Sequence, residues 1–328
     1  AVPSGAGEPG ASPSRPPPAT FPPGYFEEAS PSPTPRPAWM WDGRLDVLLI
    51  GGAAGPDRWG LRTDTMILVS ADVATGRSAL FGIPRNMVNV PLPAESADAF
   101  ECRCFPRLLN ALYMYAIGHP GSFPGGDNRG FRAVAGAIEE LTGVNLDGVA
   151  IIDINGFVRL IDALGGLTIT VTEPVFDARY PKPDGTGLIE IYVPAGRQQM
   201  DGFTALAYAR SRHQDSDYGR MARQQLVLLA LQRQLKPCAI LADLPSVLDS
   251  VQGTLVTTFT PDDLPDLLRL AAKVSAERIE RFAFTPPAYP EHLGEDDVAR
   301  IRDVVGRVFE RPEPAASPPG PAPDEEPC

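Results

Sequence analysis

The chain has 328 residues and a formal net charge of −12, from 29 basic and 41 acidic side chains. That balance argues against a nucleic-acid binder, because phosphate contacts need a basic face, and no apolar run of about 18 residues is present to span a bilayer. Of 37 prolines, twelve fall in residues 1–40 and seven in 311–328. Both ends are poor in large apolar residues and read as disordered: a Pro-rich linker over 1–40 and an acidic tail over 311–328. Residues 41–310 are left as one folded domain, with a helical extension from about 236. The lead-in suits a stalk to a membrane anchor as well as a plain disordered tail.

In chain order, Leu45–Ile50 is a near-continuous apolar run, as in a strand buried on both faces, and Gly51-Gly52 is expected to end it. A second strand over Thr65–Ser70 turns at Gly76 into a third over Ser78–Ile83, which Pro84 breaks. The spacing of Leu108, Leu109, Leu112 and Tyr113 predicts a helix over 106–117, and another spans 131–141 before Gly143. Strand 149–152, helix 155–164 and strand 167–171 fit a crossover unit. Asp201 is the expected N-cap of a helix through Tyr208, and a long helix covers 220–235. Helices near 239–250, 261–275 and 295–308 and a strand over 278–283 complete an α/β fold, α/β/α-like, with a central mixed β-sheet flanked by helices.

Cys102, Cys104, Cys238 and Cys328 are accompanied by only three scattered histidines, His119, His213 and His292, which is no zinc-site spacing. Cys102 and Cys104 are too close for an easy mutual bridge; a disulfide from either one to Cys238 suits an oxidising compartment, but the sequence does not fix the pairing.

Three constellations carry chemistry. Arg62-Thr63-Asp64-Thr65 puts a carboxylate at a strand mouth, where it can hold a hard cation or simply cap the strand. Ile83-Pro84-Arg85-Asn86 puts a forked cation at a strand end, which matches phosphate oxygens. The segment from Tyr208 to Gln225 holds four arginines within 14 residues, interleaved with Asp215 and Asp217 and feeding a helix N-terminus. A solvated face of ion pairs explains the last equally simply. Together they form a kit for phosphoryl transfer: a carboxylate, many cations and a place for a metal. No G-x-S-x-G elbow and no P-loop accompanies them.

These residues, in this order, resemble the LytR-CpsA-Psr family of cell-envelope phosphotransferases. The resemblance covers roughly 45–235. It runs through Val47–Gly52, Arg62–Met66, Ile83–Arg85, Leu109-Asn110-Ala111, Asn155–Gly166, Pro194–Arg212 and Asp217–Gln225. It implies a domain outside the cytoplasmic membrane, anchored by an N-terminal helix. Such a domain attaches a polyprenyl-pyrophosphate-linked glycan to a peptidoglycan acceptor through a phosphodiester. An apolar polyprenyl pocket between sheet and helices, lined by 106–117, 131–141 and 226–231, would take the membrane lipid's tail. On this resemblance Asp64 binds Mg²⁺; Arg85, Arg210, Arg212 and Arg220 hold the pyrophosphate, supported by Gln224; and Asp217 orients or deprotonates the acceptor hydroxyl. The sequence looks actinobacterial, which points to arabinogalactan or a related polymer. Ala53 stands where the family commonly has a second metal-side Asp, and Asp57 is the nearest substitute. That departure keeps open a non-catalytic polyprenyl-pyrophosphate binder; a lipid pyrophosphatase is a further alternative.

Overall fold

The computed structural model describes residues 42–55, 58–182, 186–212, 216–234 and 244–310. The linker and tail, Asp57, His213, Cys238, Cys328 and the first residues of the helix expected near 239 lie outside them. The chain opens with an antiparallel meander of β1 (Arg44–Gly55), β2 (Arg58–Asp72) and β3 (Ser78–Gly82). Short strands β4 (Val90–Pro91) and β5 (Cys104–Phe105) bracket helix α1 (Ala94–Ala97). Helices α2 (Leu112–Gly118) and α3 (Arg129–Thr142) lead to β6 (Gly148–Asp153) and α4 (Ile154–Ala163). Four strands follow: β7 (Leu167–Val171), β8 (Val175–Pro181), β9 (Leu188–Val193) and β10 (Gly196–Met200). Next come α5 (Gly202–Arg210) and α6 (Asp217–Gln234). The last elements are α7 (Leu244–Val251), β11 (Leu255–Thr257), α8 (Leu264–Lys273), β12 (Ile279–Ala283) and α9 (Glu295–Gly306).

The central sheet has the order β11-β6-β1-β2-β3-β12. It is mixed: β1 runs parallel to β6 and β3 to β12, and the other pairs are antiparallel. Side chains alternate across it. Leu48, Ile50, Met66, Leu68 and Phe81 pack on α2, α3 and α9. Leu45, Val47, Ile67 and Leu80 turn the other way, onto Leu270 of α8 and Leu229 of α6. Helices therefore cover both faces, as the α/β/α-like reading expects. A side lobe of β7–β10, α4 and α5 has its own core around Ile161, Ile169, Tyr180 and Tyr208, and α6 contributes Val227 and Ala230 to it.

Local signals hold where they are strong. Asp201 caps α5 by accepting a bond from the Thr204 amide. Gly143 ends α3 at φ 75°, a left-handed conformation that costs glycine little. Four expectations change. Strand β1 runs past Gly51-Gly52 to Gly55. The helix expected from Pro106 begins as a 3₁₀ turn over Leu109–Ala111, because Leu108 is extended at ψ 128°. The 148–171 stretch is no crossover within one sheet: β7 pairs with β10, and the open side of β6 is taken by β11. The disulfide joins Cys102 to Cys104, not to Cys238. Arg103 between them sits at φ 53°, and this kink brings their Cα atoms to 5.0 Å.

The apolar stretches expected to line one pocket lie on opposite faces. The 106–117 and 131–141 stretches cover one side of the sheet, whereas 226–231 covers the other. The segment after 236, read as a helical extension, supplies both edge strands of the sheet as well as helices.

Candidate active site

The site lies where β2, the β3 exit, the turn before α2 and the start of α6 meet. Gly51 pairs with Thr65 but Gly52 pairs with Thr63, so Asp64 is the extra residue of a β-bulge. Bulges re-aim a side chain out of the ladder, and here the carboxylate meets donors from two other segments while its backbone carbonyl meets a third. Gly51 makes the close pairing workable: a Cβ there would stand 2.9 Å from the Thr65 Cβ.

Arg85 follows β3, where Pro84 ends the strand, and its guanidinium bridges two carboxylates. Nη1 donates to Asp64 Oδ1 at 2.8 Å, and Nε donates to Asp217 Oδ2 at 3.0 Å. Asn110 Nδ2 donates to the same Asp64 oxygen at 2.9 Å, and the Asn110 amide bonds the Arg85 carbonyl. On α6, Asp217, Arg220 and Gln224 recur at helical spacing on one face. Arg220 Nη2 donates to Asp217 Oδ2 at 2.9 Å and Nη1 to the Asp64 carbonyl at 3.1 Å. Gln224 Nε2 donates to Thr65 Oγ1 at 2.8 Å. Arg212, in the loop before α6, reaches within 4.0 Å of Asp217 Oδ1.

The structure thus gathers Asp64, Arg85, Arg212, Asp217, Arg220 and Gln224, six of the seven residues that the resemblance names. Arg210 is placed elsewhere: it stands beside the buried Tyr180 phenol on the β8–β9 hairpin, which burial pushes up despite that positive charge. Asn110 occurs in a matched motif, yet no spacing rule gives it a role. The buried pair Asp177 and Ser211, bonded at 3.0 Å, anchors the arginine loop, and no sequence signal marks it. Arg223 adds to that anchor through the Tyr208 and Ser211 carbonyls.

Electrostatics follow from this packing. Burial alone would raise Asp64, but hydrogen bonds from Asn110 and Arg85 and the charges of Arg85 and Arg220 hold it below the usual carboxylate range. Burial opposes the charge on Arg85, and its two carboxylate partners outweigh that. Arg220 is pushed down by burial and by its cationic neighbours Arg85 and Arg212, against the pull of Asp217 and Asp64. Two enclosed atoms in this cluster, Arg220 Nε and Asp217 Oδ1, make no hydrogen bond. The cluster therefore holds an unused donor and an unused acceptor at its centre, as expected of a site that completes its bonding with a ligand.

A metal fits only in a restricted way. Among the described residues no three His, Cys, Asp or Glu side chains converge as a metal site. Asp64 supplies one carboxylate, and Ala53, in β1 opposite Arg62, supplies none. That donor set suits a Mg²⁺ ion shared with substrate phosphate oxygens and water, not an all-protein cage.

Carboxylates interleaved with arginines at the mouth of a mixed α/β/α sheet define a class of anion-binding site. The LytR_cpsA_psr family model matches residues 28–291, and the chain belongs to that family. It is 25% identical to biofilm regulatory protein A of Streptococcus mutans over 234 residues, 68% of this chain and 52% of that protein. It is 24% identical over 266 residues to the polyisoprenyl-teichoic acid–peptidoglycan teichoic acid transferase TagU of Halalkalibacterium halodurans, covering 79% and 77%. Identity to the cell wall biosynthesis protein LcpA of Corynebacterium glutamicum is 28% over 151 residues, covering 44% and 26%. The chain thus spans about half the length of the first of these relatives and about a quarter of the last. Among solved structures, Bacillus subtilis TagV superposes with a TM-score of 0.59 at 20% identity, covering 81% of this chain and 97% of that one. TagT bound to LIIa-WTA gives 0.57 at 20%, covering 82% and 92%. At such identities the likeness shows the fold.

Proposed function

We propose that the chain is a glycopolymer phosphotransferase: a peptidoglycan hydroxyl attacks the glycan-side phosphorus of a polyprenyl pyrophosphate carrier, the glycan moves with that phosphoryl group into a phosphodiester, and polyprenyl phosphate leaves. The observation that carries this reading is Arg85, which spans Asp64 and Asp217 at 2.8 and 3.0 Å while Arg220 closes the cluster from α6. Arg85, Arg212 and Arg220 hold the pyrophosphate and spread the charge that develops on its oxygens; Arg210, beside Tyr180, takes no part in this. Gln224 steadies Thr65 beside Asp64. Mg²⁺, held by Asp64 and the substrate phosphates, supplies Lewis-acid polarisation when bound. Asp217, released by Arg85 as phosphate enters, orients the attacking hydroxyl and takes its proton.

The prenyl tail is assigned to the α2–α3 face of the sheet, the side from which Asn110 reaches Asp64. Leu108 and Ile117, exposed at the two ends of the 109–118 helical segment, offer it an apolar landing. This reading places the domain on the outer face of the cytoplasmic membrane, tethered through the Pro-rich lead-in. Among the described residues no helix is long and apolar enough to cross a membrane. Arabinogalactan or a related wall polymer is our choice of glycan, supported by the corynebacterial relative and by a composition of 26 Arg to three Lys.

One assay tests this: Mg²⁺-dependent release of prenyl phosphate from a lipid-linked glycan with peptidoglycan oligomer as acceptor. Activity in the parent chain and its loss in Arg85→Ala support the transferase. A silent parent activated by Ala53→Asp supports the same site short of one carboxylate. Lipid binding with no release from either form leaves a polyprenyl-pyrophosphate binder, the reading Ala53 favours. Release without acceptor leaves a pyrophosphatase.

A further inference from the structure

Beside the phosphate cluster is a second polar group that no motif predicts. Asn86 adjoins Arg85 in sequence, and Tyr218 adjoins Asp217 on the first turn of α6. Both bond one residue from far along the chain: Tyr218 Oη donates to Glu291 Oε1 at 2.8 Å, and Asn86 Nδ2 donates to the same oxygen at 2.5 Å. The backbone around Glu291 is fixed. Val88 N donates to the Glu291 carbonyl at 2.8 Å, Leu293 N donates to the Val88 carbonyl at 3.0 Å, and Val88 and His292 form a parallel bridge.

This rim has more acceptors than donors. Glu291 is exposed, and its Oε2 takes no hydrogen bond from any described residue. Asn86 Oδ1 is enclosed and also lacks a donor. A carboxylate only accepts, and it repels a phosphate. The rim is therefore matched to a neutral molecule rich in hydroxyl donors, next to arginines matched to the anion. A lone carboxylate with no second oxygen ligand is a poor cation site.

We propose that Glu291, with Tyr218 and Asn86 orienting it, is a saccharide-hydroxyl subsite at the edge of the phosphate cluster. This rests on the transferase reading above and assigns the sugar-binding part of the same site. Two sugars meet in that reaction, the donor glycan and the acceptor, and the chemistry of the rim suits either. Binding Glu291 Oε2 places the sugar beside Tyr218, the immediate neighbour of Asp217, the proton acceptor on α6.

Calorimetric titration of the whole chain with three probes tests the assignment. The probes are a peptide-free peptidoglycan oligosaccharide, a farnesyl-pyrophosphate-linked disaccharide and farnesyl pyrophosphate itself. Charge-assisted hydrogen bonds are the strong ones, so Glu291→Ala is expected to weaken one saccharide probe by about tenfold or more. Glu291→Gln, which keeps an acceptor for Tyr218 and Asn86, is expected to weaken it less. Neither loses affinity for farnesyl pyrophosphate. A loss confined to the oligosaccharide assigns the acceptor; a loss confined to the linked disaccharide assigns the donor. Unchanged affinity for both in Glu291→Ala, or a parent chain that binds neither sugar, overturns the subsite. A parent chain that fails to bind farnesyl pyrophosphate overturns the phosphate site instead.

Discussion

Two carboxylates at opposite ends of the same pair of strands, Asp46 buried and Asp64 part-buried, behave in opposite ways. Asp46, in β1, is paired to Arg44 at 2.8 Å and accepts a bond from Ser70, yet burial outweighs both and its carboxyl is raised. Asp64, in the bulge of β2, has two arginines and an amide around it and is lowered despite its partial burial. One guanidinium and a hydroxyl leave the Asp46 carboxyl raised by its burial, whereas two guanidiniums with an amide donor lower that of Asp64. The Asp46 pair serves the packing of the fold, because Arg44 also caps the C-terminal carbonyls of α9 and stacks on Phe309. The Asp64 cluster is over-supplied with cations, which is the arrangement that favours an anionic ligand.

The sharpest way to break that contrast is Arg85→Ala, which cuts the link between Asp64 and Asp217. Loss of one such preorganised donor is expected to lower transfer by about 10²–10³-fold, read as prenyl phosphate release, with the fold intact by circular dichroism. Asp177→Ala removes the buried partner of Ser211 beneath the arginine loop. It is expected to lower unfolding stability by about 1–3 kcal/mol in urea titrations.

A pH series separates the two aspartates directly. Asp64 titrates lower in the folded chain, so its ionised form stabilises the fold above the usual value of 3.8, and that contribution is lost as pH falls through the lowered value. Asp46 titrates higher when folded, so its ionisation destabilises the fold as pH rises through the window above 3.8. Relative to the parent chain, Asp64→Asn should therefore lose its deficit on acidification below 3.8. Asp46→Asn should gain as pH rises above 3.8. Denaturant midpoints, followed from strongly acidic to neutral pH, that move in parallel for both variants would contradict the contrast. The smallest effect is expected from Cys102→Ser. Its bridge closes a loop so short that at most about 2 kcal/mol of stability depends on it.

The sequence is most readable where the signal is local. Helix α3 and its Gly143 stop, the Asp201 cap and the strand-mouth pair of Asp64 and Arg85 all follow from neighbours within a few residues. The α6 face of Asp217, Arg220 and Gln224 is less so: Asp217 reads as loop before a helix from 220, whereas α6 begins at Asp217 and brings the three onto one face. What stays hidden depends on partners distant in sequence. Glycines that look like a strand end supply a bulge instead, because Thr65 packs against Gly51. Strand β7 turns away from β6 because β11, far later in the chain, occupies that edge. Cys102 pairs with Cys104 through the positive φ of Arg103, which no spacing rule reports. Glu291 reaches Asn86 and Tyr218 across 205 and 73 residues, and nothing near it in sequence marks it.

The placement of β11 and β12 has a consequence for synthesis. Both outer strands of the sheet come from the last stretch of the domain, residues 255–257 and 279–283. A nascent chain that has emerged only through α6 already holds every residue of the phosphate cluster, but it presents β6 and β3 as bare backbone ladders. Such edges recruit strands from other chains. Until the final stretch arrives, the half-made protein depends on whatever shields those edges, and a protein truncated there should aggregate with its arginines and aspartates in place.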